Sequence, residues 1–186
     1  STYLDAVGAH MPGLAAQPLF WVGLVLLLAG FFFKLAVFPF HFWAPDTYQA
    51  APHEVVTYIA SVSKVAGVAL LCRIVSLAMP APDPAAARAV LMWMSVAAMT
   101  LGNLAALRQG DLKRLLGYSA VAHGGYILIG LQAMTADGLT AALFYGLGYA
   151  AMSLACFAVV CVVGRDEDLV SIASVSGLHQ RSPVLA

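Results

Sequence analysis

Charged side chains are scarce in this chain. Only 10% of its 186 residues are Asp, Glu, Lys or Arg and 62% are hydrophobic, whereas a soluble domain carries about 25% charged residues. A soluble fold of this size still needs a polar skin, so a water-soluble enzyme and a disordered tail are both excluded. The nine basic and nine acidic residues cancel, leaving no net field to draw in nucleic acid. With a mean hydropathy of +0.88, the chain reads as a membrane protein.

Other absences narrow the chemistry. There are three cysteines, Cys72, Cys156 and Cys161, all inside apolar runs. No C-x-x-C pair or Cys/His ligand spacing accompanies them, which excludes a disulfide framework or a zinc site and leaves small packing residues. A Gly-rich nucleotide loop and a catalytic triad are also missing. His41 and His123 offer no paired face for a haem. Residues 1–17 lack the basic start of a signal peptide and are expected to form a loop. The chain opens on Ser1 and closes on an apolar Pro183-Val184-Leu185-Ala186, so a piece of a larger membrane protein is expected.

What is present is a series of apolar runs near residues 19–40, 54–79, 89–107, 112–134 and 139–163. A membrane-spanning helix needs about 20 such residues, and none of the runs shows the period-two alternation of a barrel strand. The expectation is an all-α membrane protein, a bundle of about five transmembrane helices over residues 18–165. Their predicted extents are about 19–49 (broken), 53–79, 88–107, 112–134 and 138–163, separated by short polar or Pro-containing breaks. Residues 166–186 are expected to be a polar loop and the start of a further helix. Arg108, Lys113, Arg114, Arg165 and Arg181 would share one side of such a bundle, which points that side to the cytoplasm.

The first run is irregular. Pro39 follows Lys34 by five residues; it lacks a backbone donor and clashes with the preceding turn, so the helix should break near Lys34–Pro39. Broken helices at mid-membrane expose backbone groups and mark ion sites in transporters. Lys34 itself either snorkels from a helix end or, if the helix continues beyond the break, lies near the middle, where a charge costs between about 2.5 and 17 kcal/mol. Lys64 is the stronger signal, because it stands in the middle of an apolar run, too deep for easy snorkelling. Thr57, Ser61 and Lys64 fall at i, i+4 and i+7 on one helix face, a hydroxyl stripe leading to an amine.

Ser119, His123 and Tyr126 repeat that spacing. Histidine passes protons near neutral pH, though a membrane histidine also serves as a helix–helix hydrogen-bond residue. Tyr145, Tyr149 and Ser153 form a further stripe, read as a water-ordering or packing face. Around the first connection, Asp46 has capping spacing with Gln49, and Glu54 favours the positive end of a helix dipole. Arg73 and Arg88 read as interface anchors. All nine acids lie in or beside connections and ends, while Lys34, Lys64 and His123 lie within apolar runs. A cation buried without an anion is neutral part of the time or pairs with something outside this chain.

The run from Phe33-Lys34 through Pro39-Phe40-His41, Trp43, Pro45-Asp46, Tyr48 and Pro52 resembles the F-K-x-x-x-x-P-F-H-x-W-x-P-D-x-Y-x-x-x-P signature of the antiporter-like membrane subunits of respiratory complex I. Ala60-Ser61-Val62-Ser63-Lys64 agrees with it, as do Gly102-Asn103-Leu104, Asp111 through Ser119, and His123-Gly124-Gly125-Tyr126. Within that family the chain is most similar to the subunit N branch. The resemblance implies a complete subunit of about fourteen helices with two inverted repeats, of which this chain would be the middle.

The resemblance also implies roles. Lys34, Lys64 and His123 would be proton-relay sites on a hydrated mid-membrane axis, with Pro39, His41, Ser61, Ser119 and Tyr126 supporting them. The partner glutamate would lie upstream and the last key lysine or glutamate downstream. No cofactor is expected in this chain: NADH, FMN, iron–sulfur clusters and quinone would belong to partner subunits. Its partners would be other membrane-arm subunits, the lipid bilayer, protons and water, in a bacterial inner membrane. Two alternatives stay open, a subunit of a multisubunit sodium/proton antiporter and a purely structural membrane subunit.

Overall fold

The computed structural model describes residues 17–78, 85–164 and 170–183. The expected loop over residues 1–17 falls almost wholly outside them, as do residues 166–169 and 184–186. Among the described residues the chain is all-helical, with no strand and a single isolated bridge between Asp111 and Ser171. The helices in order are α1 (Pro18–Leu35), α2 (Trp43–Ala50), α3 (His53–Ala60), α4 (Val62–Ala78), α5 (Ala85–Ala106), α6 (Leu112–Gln132) and α7 (Ala136–Val163), then a 3₁₀ turn (Ile172–Val175) and a short α8 (Leu178–Arg181).

By length and composition, the continuous stretches His53–Ser76, Ala87–Ala106 and Ala136–Val163 can cross a membrane, and Val22–Leu35 is a shorter apolar helix. The 21-residue α6 rises about 31 Å at 1.5 Å per residue but carries Lys113 and Arg114 in its first turn. The exposed surface is apolar, with Leu26, Trp93, Leu107 and Phe144 all turned outward. That is the face a membrane bundle shows to lipid or to neighbouring helices.

Two spans are interrupted. The first stops at Ala36, which adopts a left-handed conformation with φ 56°. Its N–H bonds Phe33 O, and that of Val37 bonds Phe32 O, both at 3.0 Å. These two bonds make the reversed turn that closes many helices, here with alanine where glycine is usual. The chain resumes as a helix at Trp43. The second interruption was not expected: at Ser61 (φ −107°, ψ −87°) α3 ends and α4 begins. The Ser61 hydroxyl donates to Thr57 O at 2.5 Å, and such bonds to the carbonyl four residues back bend helices.

Helix α6 is the hub. Asp111 caps it by accepting from Arg114 N at 2.8 Å. Gly117 lets the α2 backbone lie directly on it, since a Cβ there would stand 2.7 Å from Pro45 Cα. Deeper in the bundle the buried Ser95 of α5 donates to Gly125 O at 2.8 Å, a polar contact of the kind that joins membrane helices. Beyond α7 the chain returns to the start of α6, where Leu112 N bonds Val170 O and Ile172 N bonds Gly110 O.

Candidate functional site

The site is built around Lys64. It occupies the first turn of α4, just past the bend at Ser61, and is 3% exposed. Its Nζ donates to the Ala120 carbonyl of α6 at 2.7 Å and lies 5.1 Å from the centroid of the Tyr149 ring of α7, within cation–π range. His123 is one turn beyond Ala120 on the same face of α6. Its Nδ1 is 2.7 Å from the Tyr145 hydroxyl. The Tyr149 ring stands 4.9 Å from the imidazole and the Tyr126 ring 5.7 Å from it. The Tyr149 ring is therefore a neighbour of both the amine and the imidazole.

Lys34 approaches the same turn of α4 from the other side. It sits in the last turn of α1, its stem passes Gly67, and its Nζ donates to Ser63 Oγ at 3.0 Å. Ser63 and Lys64 are adjacent in sequence, so a single turn of α4 joins the Lys34 contact to the Lys64–Tyr149–His123 cluster. Unlike Lys64, Lys34 is exposed on a face of the described chain. Of the supporting residues, Pro39 lies in the turn between α1 and α2, and His41 follows it with its ring between those of Phe38 and Phe42. Ser119 is half-buried one turn before His123. The Ser61 hydroxyl is taken up by Thr57 O.

A model of one membrane family matches residues 1–186, the NADH:quinone oxidoreductase/Mrp antiporter transmembrane family. The chain belongs to this family. It is an integral membrane protein, as the match and the long apolar helices together show. It is 50% identical, over all 186 residues, to NADH-quinone oxidoreductase subunit N 2 of Opitutus terrae, and covers 38% of that protein. Among solved structures it is similar to a chain of respiratory complex I from Thermus thermophilus, at 34% identity and a TM-score of 0.77, covering 98% of this chain and 41% of that one. A chain of the membrane-bound sulfane sulfur reductase, an archaeal respiratory membrane complex, gives 27% identity and a TM-score of 0.82 over 98% of this chain and 37% of that one. The chain thus spans well under half the length of the relatives it matches.

In this family member, several groups meet partners that the sequence did not assign to them. Asp46 does not cap a helix. It accepts from Arg114 at 2.6 Å, and Arg114 also donates to Gln49 Oε1 at 3.0 Å. Lys113, expected only as an orientation signal, is 2% exposed and donates to Ala51 O at 3.1 Å. Trp43 Nε1 donates to Phe33 O at 2.8 Å across the first interruption, with the two rings stacked 5.4 Å apart. Tyr145 and Tyr149 were visible as a stripe, but spacing along one helix says nothing of what that face meets. Among the described residues, no three His, Cys, Asp or Glu side chains converge as a metal site.

Proposed function

We propose that this chain is the middle part of a proton-translocating subunit of NADH:quinone oxidoreductase, of the subunit N type. Lys34, Lys64 and His123 relay protons along the mid-membrane axis, and the redox chemistry is carried by other subunits. NADH, FMN, iron–sulfur clusters and quinone would be bound there, and the neighbours of this chain would be membrane-arm subunits in a bacterial inner membrane. The observation that carries the reading is Lys64: a lysine sealed inside the bundle, meeting a carbonyl and an aromatic face rather than a carboxylate. Such an amine has no fixed counter-ion among the described residues, so a change in a neighbouring charge can move its proton. Ser63 extends the line to Lys34, and Tyr149 and Tyr145 extend it to His123 and beyond.

The test replaces Lys64 by Met in the complete subunit within the assembled complex. Methionine keeps the length and loses the proton. NADH-driven proton pumping should fall by at least about tenfold with assembly intact. Unchanged pumping per electron would sink the relay role and favour a structural one.

A second reading is a subunit of a multisubunit sodium/proton antiporter. The matched family covers both kinds of protein by name, and the likeness to the archaeal sulfane sulfur reductase shows the scaffold in another respiratory complex. Sodium-dependent transport in the absence of NADH oxidation would decide for it.

A further inference from the structure

The hydroxyl of Tyr145 is bonded to a ring nitrogen. The hydroxyls of Thr57, Ser61 and Thr140 are turned back onto carbonyls four residues earlier, and that of Ser95 reaches a carbonyl of a neighbouring helix. Tyr145 instead reaches from α7 to α6 to meet His123 Nδ1 at 2.7 Å. Its ring lies 5.9 Å from that of Tyr126, which is exposed, whereas Tyr149 is buried and faces Lys64. The imidazole therefore has Lys64 and Tyr149 on its inner side, and Tyr145 and Tyr126 on its outer side. Among the described residues no carboxylate stands beside it.

An imidazole that passes a proton takes it on one nitrogen and releases it from the other. The group on the releasing nitrogen must accept in one tautomer and donate in the next. A backbone carbonyl only accepts and an ammonium only donates, whereas a phenol does both. We infer that Tyr145 is a relay residue of this chain, the group through which His123 hands protons towards the exposed Tyr126. This rests on the proton-relay reading of His123.

The step balances without any oxidant or reductant. His123 starts with its proton on Nδ1, donated to the Tyr145 oxygen, and binds an incoming proton at Nε2. The Nδ1–H bond then breaks as the Tyr145 oxygen takes that proton. The original hydroxyl proton of Tyr145 leaves to a water molecule on the Tyr126 side. His123 is left neutral, with its proton on Nε2, and Tyr145 is left neutral and donating to Nδ1. The relay resets when the hydroxyl rotates away and a water molecule gives a proton to Nδ1 as the Nε2–H bond breaks and returns a proton to that water, so that the ring regains its starting tautomer with no net charge moved.

The experiment compares Tyr145→Phe, His123→Ala and the double variant in the complete subunit within the assembled complex, reading proton pumping per NADH oxidised. Y145F keeps the ring and its packing. It should slow pumping about tenfold, the weight of one lost proton-transfer partner, and should cause no further loss when H123A is already present. Normal pumping by Y145F alongside impaired H123A overturns this inference and leaves the relay reading standing. A further loss in the double variant also overturns it, since Tyr145 would then act independently of His123. Normal pumping by H123A overturns the relay reading of the histidine itself. Should Y145F not assemble, 3-fluorotyrosine at position 145, of nearly the same shape but a more acidic phenol, replaces it. A displaced pH profile of pumping is then expected, and an unmoved profile overturns the assignment.

Discussion

The two interrupted spans solve the same geometric problem in opposite ways. In the first, the helix stops at Ala36, the chain turns through Pro39, and a new helix starts at Trp43, so that seven residues separate the halves. In the second, one residue, Ser61, divides α3 from α4 and the axis merely bends. Each interruption holds a lysine, but at opposite ends of a half-helix. Lys34 lies in the last turn of α1, at the carbonyl end of a helix dipole, and Lys64 in the first turn of α4, at an N–H end.

The largest expected effect tests how the two interruptions are held. Gly117 of α6 and Gly146 of α7 are the seats, respectively, of the segment after the first break and of the helix after the second bend. A Cβ at position 117 would meet Pro45 Cα at 2.7 Å, backbone that has nowhere to go, whereas one at position 146 would meet Val68 side-chain atoms at 3.5–3.7 Å, an ordinary contact. Gly117→Ala should therefore cost about 3 kcal/mol through overpacking. Gly146→Ala should be neutral or stabilise by a few tenths of a kcal/mol, because alanine suits a helix better. The thermal midpoint of the detergent-solubilised complex reads both. Equal effects would mean that the two seats are equally tight.

A smaller effect is expected at Trp43. Its indole N–H is the side-chain bond that crosses the first break, ending on Phe33 O beside Lys34. Trp43→Phe keeps an aromatic ring against Phe33 and loses that bond, at a cost of about 1 kcal/mol. The same thermal measurement checks it. An unchanged midpoint would show that the turn at Ala36 holds the first half-helix without the indole.

Much of this was legible in the sequence, and the limits have physical causes. The first break was readable because proline has a local mechanism; the bend at Ser61 was not, because serine inside an apolar run is compatible with an uninterrupted helix. Lys64 stood out by depth alone. What surrounds it did not, because Ala120, Tyr149 and Ser63 reach the two lysines from three helices whose faces no periodicity assigns to one another. Asp46 illustrates the converse. A local pattern suggested a cap, and a long-range partner, Arg114, took the carboxylate instead. Tyr145 and Tyr149 were read from one helix as packing or water-ordering, and only the arrival of α6 turns one of them into a histidine partner.

The smallest expected effect concerns the bend itself. Ser61 donates its hydroxyl to Thr57 O, which suggests that the side chain makes the bend. The backbone around it argues otherwise: Lys64 N and Val65 N both bond Ser61 O at 3.1 Å, and Ser61 N bonds Thr57 O at 3.2 Å. Alanine preserves all three of those bonds. Ser61→Ala should then shift stability by no more than about 0.5 kcal/mol. The distance between spin labels on α3 and α4 should stay unchanged, which pulsed electron paramagnetic resonance on the reconstituted complex can measure. A lengthened distance would mean that α3 and α4 straighten into one helix and that the serine hydroxyl holds Lys64 in its turn. The two interruptions would then both depend on a side chain, Trp43 in one and Ser61 in the other.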